Sequence, residues 1–194
     1  MNKIKGRTFI INHLIKKNNY ENYLEIGCAY KYNFDMVLCN NKTGVDPAYP
    51  CEYNMTSNEF FSINNKKYDI IFIDGLHHYE QVLQDFINSY DCLSINGTIL
   101  LHDCLPTKKD HQMRHVVDPV GWTGDIWKAV FLLKKHGYNI RTIDYDWGIG
   151  YYKKVLEKKN TFDMNIICDK SYEDFENNKQ KYMDIITKEE FYKL

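Results

Sequence analysis

Asp69-Ile70-Ile71-Phe72-Ile73-Asp74-Gly75 is the stretch on which the fold turns. Four consecutive β-branched or aromatic residues between two acids suit a strand buried on both faces, as a parallel sheet requires. The closing Asp-Gly pair marks a turn. Downstream, Tyr79 to Leu93 is expected as a helix, with Val82, Leu83, Phe86, Ile87 and Tyr90 on one side. Ser94 to Gly97 reads as a turn, and Thr98 to Leu101 as the next buried strand, ending at His102-Asp103. Upstream, Thr56 or Ser57 caps a helix through Phe60, Phe61 and Ile63. Before it come a very short strand at Cys51 to Met55, a strand at Lys42 to Val45 stopped by Asp46-Pro47, and a strand at Tyr23 to Gly27. Arg7 to Lys17 has the apolar spacing of an amphipathic helix.

Beyond the centre, Cys104 to Gly121 is polar and is expected as a long surface loop. Asp125 to His136 reads as a helix stopped by Gly137. Asn139 to Ile143 and Ile149 to Lys153 are joined closely enough for an antiparallel hairpin. The tail from Ser171 reads as one helix and a shorter one starting near Thr187. Alternating strands and helices imply an α/β fold, a Rossmann-like, mostly parallel sheet with an antiparallel C-terminal hairpin and helices on both faces. All 194 residues fit one domain.

A formal net charge of −1 argues against a global grip on nucleic acid, and no stretch is apolar enough to span a membrane. Met1 to Arg7 is basic, but His13, Lys16 and Lys17 interrupt the apolar residues after it, so no signal peptide is expected. The six cysteines include no C-x-x-C pair, which suits reduced thiols and a cytoplasmic setting.

Ligands of open α/β sheets bind at the carboxyl ends of strands. Four such ends carry unusual residues: Glu25 to Tyr30, Asp46, Asp74-Gly75 and His102-Asp103. A glycine at the first lets backbone approach a ligand, and an acid about twenty residues later can accept from ribose hydroxyls.

In this order the motifs resemble the class I methyltransferases that use S-adenosylmethionine (SAM). They are most similar to a bacterial and viral subgroup that often accompanies glycan and antibiotic-sugar biosynthesis genes. The residues that carry the resemblance are Y-L-E-I-G at 23–27, G-V-D-P at 44–47, D-G-L-H-H-Y-E at 74–80 and L-H-D-C at 101–104. W-T-G-D-I-W-K-A at 122–129 and D-Y-D-W-G-I-G at 144–150 complete it. It implies that Gly27, Cys28 and Ala29 lie under the methionine part of SAM and that Glu25 holds that loop or meets the amino group through water. It also implies that Asp46 takes the ribose hydroxyls, that Met55, Thr56 and Ser57 meet the adenine, and that Asp74 and Gly75 close the cofactor site. The subgroup carries another glycine near position 31, where this chain has Lys31. That side chain either crowds the cofactor or points to solvent.

Asp74, His77, His78, His102 and Asp103 form the expected catalytic cluster. Methyl transfer to a hydroxyl needs its proton removed, by a histidine base or with the help of a metal. His78 is favoured as the base, with Asp74 and Asp103 assisting. The cluster also resembles catechol and macrocin O-methyltransferases, whose magnesium ligands match Asp74, His102 and Asp103. A mixed His/Asp set suits manganese, iron or zinc better than magnesium.

His77, His115, Trp122, Asp125 and Lys128 are expected to face the acceptor, in a mobile wall that includes His111 and Arg114. Asp144 to Gly150 can close its other side. The expected reaction is O-methylation of a sugar or glycan hydroxyl. N- or O-methylation of a small natural product, and a non-catalytic module on the same fold, are the alternatives. The expected partner is the acceptor, with a homodimer as the candidate assembly and no nucleic acid or membrane.

Overall fold

A computed structural model describes residues 6–118, 120–156 and 162–194, so Met1 to Lys5 of the basic N-terminus lie outside the described residues. Among the described residues, seven strands form one sheet in the order β2-β1-β3-β4-β6-β5-β7. β1 (Asn22–Ile26), β2 (Asn41–Val45), β3 (Tyr68–Ile73) and β4 (Leu93–Leu101) run parallel. β5 (Ile140–Ile143) and β6 (Ile149–Lys153) form the expected antiparallel hairpin, and β6 lies antiparallel to β4. The sheet is thus Rossmann-like, mostly parallel, with its chain reversal at the C-terminal end.

The unbroken apolar run of β3 has its cause in two cores. Ile71 and Ile73 face one, packed under α3 (Ser57–Ile63), α4 (Tyr79–Cys92), α5 (Trp127–Lys135) and α6 (Tyr172–Met183). Ile70 and Phe72 face the other, under α1 (Gly6–Asn18), α2 (Tyr32–Met36) and α7 (Lys188–Phe191). A strand covered on both sides has no face left for polar residues.

Four local expectations need correction. Cys51 to Met55 forms no strand; only Tyr53 bridges to Val45. Ser94 to Gly97 belongs to β4, as an irregularity where pairing jumps from Tyr68↔Leu93 to Ile70↔Thr98. The segment from Cys104 to Gly121 is not simply a surface loop, because Cys104 and His111 are buried and Lys109–Gln112 forms a 3-10 turn. α5 begins at Trp127, two residues after the expected Asp125. α2 and the two-residue β7 (Ile185–Ile186), parallel to β5, went unforeseen because both are too short to show a period. Among the described residues, no helix is long and apolar enough to cross a membrane.

Trp127 is fully buried, its ring 4.8 Å from Phe175 and its indole N–H donating to Gln112 at 3.0 Å. Trp127→Ala is expected to cost about 3–5 kcal/mol, read as a lower urea midpoint at unchanged slope.

Candidate active site

A cavity of about 500 Å³ opens at the carboxyl ends of β1, β2 and β3, within the range of cofactor sites. Gly27, Ala29, Asp46, Thr56, Ser57, Asp74 and Gly75 line it, as expected from the sequence. Glu25, Cys28 and Met55 do not. Glu25 is buried beneath α2, accepting from the Tyr23 hydroxyl and from Asn33 Nδ2, and burial pushes its pKa up to about 8. The Cys28 thiol is buried against the Glu25 carbonyl, and Met55 packs on the core.

Two glycines at this edge serve different ends. Gly27 has φ +87°, and a Cβ there would lie 2.2 Å from the Asp74 carbonyl oxygen. The protein itself demands that glycine, since the first and third strand-end turns touch at that point. At Gly75 a Cβ would meet only Ile26 Cγ2 at 3.4 Å, the Ile26 carbonyl oxygen at 3.9 Å and Asp85 Oδ2 at 4.0 Å. Both neighbours belong to the cavity wall, so the missing side chain is space a ligand can fill. Lys31 holds φ 61° and turns its amine outward to Glu52 at 3.3 Å. The backbone here keeps the shape a glycine would take, and the side chain does not line the cavity.

Asp46 organises the second turn. Its Oδ2 accepts from the Ala29 N–H at 2.8 Å, and its Oδ1 accepts from Ala48 and Tyr49 at 2.8 and 2.9 Å. Those three bonds fill three of the roughly four acceptor positions of a carboxylate. Room remains for about one ribose hydroxyl on that count, where the sequence suggested two.

Gln81 and Asp85 were not foreseen. They lie four residues apart on α4 and so share one face, which closes the cavity beside Ser57. Gln81 Nε2 donates to Asp85 Oδ1 at 2.9 Å and to Ser57 Oγ at 3.2 Å. The polar i, i+4 pair inside a largely buried helix was the available signal.

On the far side of Asp74 the charged groups converge. His102 is buried; its Nδ1 lies 3.2 Å from Asp74 Oδ1 and 3.0 Å from Asp103 Oδ1, and its Nε2 lies 2.9 Å from the Asp146 carbonyl oxygen. Both ring nitrogens face oxygens, so both donate and the ring is an imidazolium. Burial opposes that charge, but Asp74 and Asp103 outweigh it and push the pKa up to about 9. Burial would likewise raise Asp74, yet His102, His77 and Arg7 hold it well below the usual carboxylate range. Arg7 reaches in from α1, donating to Asp74 Oδ2 at 2.6 Å and to Asp146 Oδ2 at 3.1 Å.

The ligand atoms of Asp74, His102 and Asp103 do lie within 4.8 Å of one another, as a metal site would need. The donor chemistry does not fit. The Asp74 oxygens already receive N–H groups from Arg7 and His102, so the position a cation would take is filled by the Arg7 guanidinium.

His77, rather than His78, belongs to this cluster. The His77 ring stacks on Trp122 at 4.6 Å and 13°, with Nε2 3.5 Å from Asp74 and Nδ1 3.5 Å from Asp103. Its Nδ1 is buried and makes no hydrogen bond. His78 instead sets Nε2 3.0 Å from the Arg114 carbonyl oxygen, outside the cluster.

The expected acceptor wall is only partly assembled. Trp122 stands at the cluster, its indole N–H donating to the Met113 carbonyl at 2.6 Å. Asp125 is buried and accepts the Tyr79 N–H at the start of α4, so its role is to hold that helix. Lys128 pairs with Asp125 at 3.5 Å, Arg114 grips Glu80 through two bonds, and His115 is exposed. The wall is fastened rather than loose, since the buried His111 accepts at its carbonyl from both Thr123 and Gly124.

Burial pushes the pKa of Asp85 from 3.8 up to about 6, against hydrogen bonds from Ser57 and Gln81. A raised carboxyl pKa means that the folded chain binds this proton more tightly than the unfolded one. The fold is therefore penalised as pH rises from about 4 through 6, by about 3 kcal/mol at the plateau. Asp85→Asn should match the wild type in unfolding free energy near pH 4 and exceed it above pH 6. Equal stability at both ends would show that this carboxyl is not desolvated.

Comparison with known proteins fits this arrangement. Residues 18–104 match the family model described as a methyltransferase domain. No curated protein matches the chain significantly. The solved O-methyltransferase TomG from Streptomyces achromogenes, in complex with SAM, is 9% identical, with 76% of this chain and 79% of that chain covered at a TM-score of 0.56. An O-methyltransferase from Bacillus cereus, in complex with S-adenosylhomocysteine (SAH), is 12% identical, covering 76% and 80% at 0.53. The N-methyltransferase NodS from Bradyrhizobium japonicum is 13% identical, covering 76% and 94% at 0.52. At such identities the likeness concerns the fold, and oxygen and nitrogen acceptors both occur on it. Residues 18–104 thus match a methyltransferase domain, and the strands beyond them complete a Rossmann-like sheet of the kind the solved methyltransferases share.

Proposed function

We propose that the chain is a methyltransferase that holds SAM in the strand-end cavity and methylates a hydroxyl of a sugar or glycan, with His77 as the base. The observation that carries this reading is the buried, unbonded Nδ1 of His77, in a ring set between Trp122 and two carboxylates. Bound SAM supplies a methyl group made electrophilic by its sulfonium. Asp46 would hold one ribose hydroxyl, Gly75 would give the cofactor its closest backbone approach, and Gln81, Asp85 and Ser57 would meet the adenine.

A hydroxyl is a weak nucleophile until its proton has somewhere to go, and a neutral imidazole is the side chain best matched to take it near neutral pH. Asp74 and Asp103 lie 3.5 Å from the two nitrogens of His77, and Trp122 stacks on its plane. The half-buried Trp122 and the partly exposed Trp147 beside Gly121 suit the apolar faces of a sugar ring. The acidic surroundings also support an uncharged, polyhydroxylated acceptor over an anionic one.

Calorimetry with SAH tests the cofactor half. Wild type should bind. Gly75→Ala should fold normally and weaken SAH at least about 10-fold by filling the cradle. Gly27→Ala should instead lose stability, by about 1–3 kcal/mol from backbone strain alone. A wild type that does not bind SAH would end this reading. Screening nucleotide sugars and glycans with methyl-labelled SAM tests the acceptor half. There, His77→Ala should lower turnover about 100-fold or more at unchanged SAH affinity, while His78→Ala should stay near wild type.

A further inference from the structure

The cluster beyond Asp74 contains its own cation. The Arg7 guanidinium is mostly buried and lies 2.6 Å from Asp74 Oδ2 and 3.1 Å from Asp146 Oδ2. Its backbone N–H adds a third contact, 2.7 Å from the same Asp146 oxygen. The start of α1 is shaped for that docking. A Cβ on Gly6 would fall 2.7 Å from the Tyr145 ring and 2.8 Å from Asp146 Cβ, so only glycine lets the helix end meet the β5–β6 turn this closely. Three acids, Asp74, Asp103 and Asp146, are gathered with Arg7 and with a His102 ring whose nitrogens both face oxygens.

We infer that Arg7 is a positioning residue that stands in for a divalent metal ion: it occupies the cation position at Asp74 and lets the cluster work without metal. The inference rests on reading this cluster as the acceptor side of the methyltransferase site. A metal ion at Asp74, His102 and Asp103 would have to expel Arg7 from Asp74 and displace the His102 Nδ1 proton from its two carboxylate partners. A fixed guanidinium neutralises the same carboxylates with bonds of set direction, and needs no free ion to do so. It also ties the hairpin turn at Asp146 to the end of β3, which a metal bound by Asp74, His102 and Asp103 would not do.

The experiment is a titration of the purified protein with Mn²⁺ alone, followed by electron paramagnetic resonance of the free ion. Wild type and Arg7→Lys should leave the free signal undiminished. Arg7→Ala, which vacates the position and leaves the acids uncompensated, should remove signal stoichiometrically, and Asp74→Asn added to it should restore that signal. A merely structural Arg7 would lower the melting temperature without creating an ion site. If Arg7→Ala does not fold, Arg7→Gln decides, being neutral and of similar length. Stoichiometric Mn²⁺ binding by wild type, lost in Asp74→Asn, would overturn the inference. So would folded Arg7→Ala and Arg7→Gln that both leave the signal intact. SAH calorimetry on the same wild-type sample keeps the two readings apart: failure to bind SAH counts against the methyltransferase site, whereas the Mn²⁺ result concerns the cation alone.

Discussion

The contact between Gly27 and the Asp74 carbonyl sets the geometry of this molecule. It brings the turn after β1 against the turn after β3, with no room between them for a single extra carbon. Once those turns touch, the space at the strand ends is divided. On one side lies the cavity bounded by Asp46, Gly75 and Asp85; on the other lies the charged cluster. Asp74 is the partition, since it lines the cavity and also binds Arg7 and His102. On the proposed function, methyl donor and proton acceptor would share this wall, because transfer demands reacting groups held close and in line.

The cost of that wall is a concentration of buried charge. Ionised groups taken out of water are tolerated when each is paired and hydrogen-bonded. Here the pairing crosses the whole fold: Arg7 comes from the first helix, Asp74 from β3, His102 and Asp103 from the end of β4, and Asp146 from the β5–β6 turn. Removing any one member leaves its partners buried and uncompensated, so the site and the packing of these elements stand together. Asp103 shows the same tension in its backbone, with φ 57° in the left-handed region where a side chain is strained.

The sequence displayed those features that have a period or a fixed chemical signature. D-I-I-F-I-D could only be a strand covered on both faces, and Ile70 to Ile73 divide between the two cores as that reading requires. The strand-end acids and glycines lie where a parallel sheet puts its ligands. Contacts between residues distant in the chain were illegible. Nothing local marks Arg7 as the partner of Asp74, 67 positions away, or turns His77 inward and His78 outward. Asp125 follows the same rule: its carboxylate looks available in sequence but is used by the first turn of α4, 46 positions earlier. Lys31 was open in the sequence, to crowd the cofactor or point to solvent; its backbone retains the glycine-like shape and its amine turns to Glu52.

The two-residue strand β7 has a consequence for how this sheet meets other chains. It pairs only at Ile185 and Ile186, alongside Thr142 and Ile143. A sheet edge recruits neighbours through its row of unpaired amide and carbonyl groups, and a strand this brief offers almost none. Beyond it the chain turns at once into α7, whose Phe191 packs back onto the core. That edge is therefore blunted against strand addition, so a second copy meeting this margin would have to dock through side chains and would not extend the sheet.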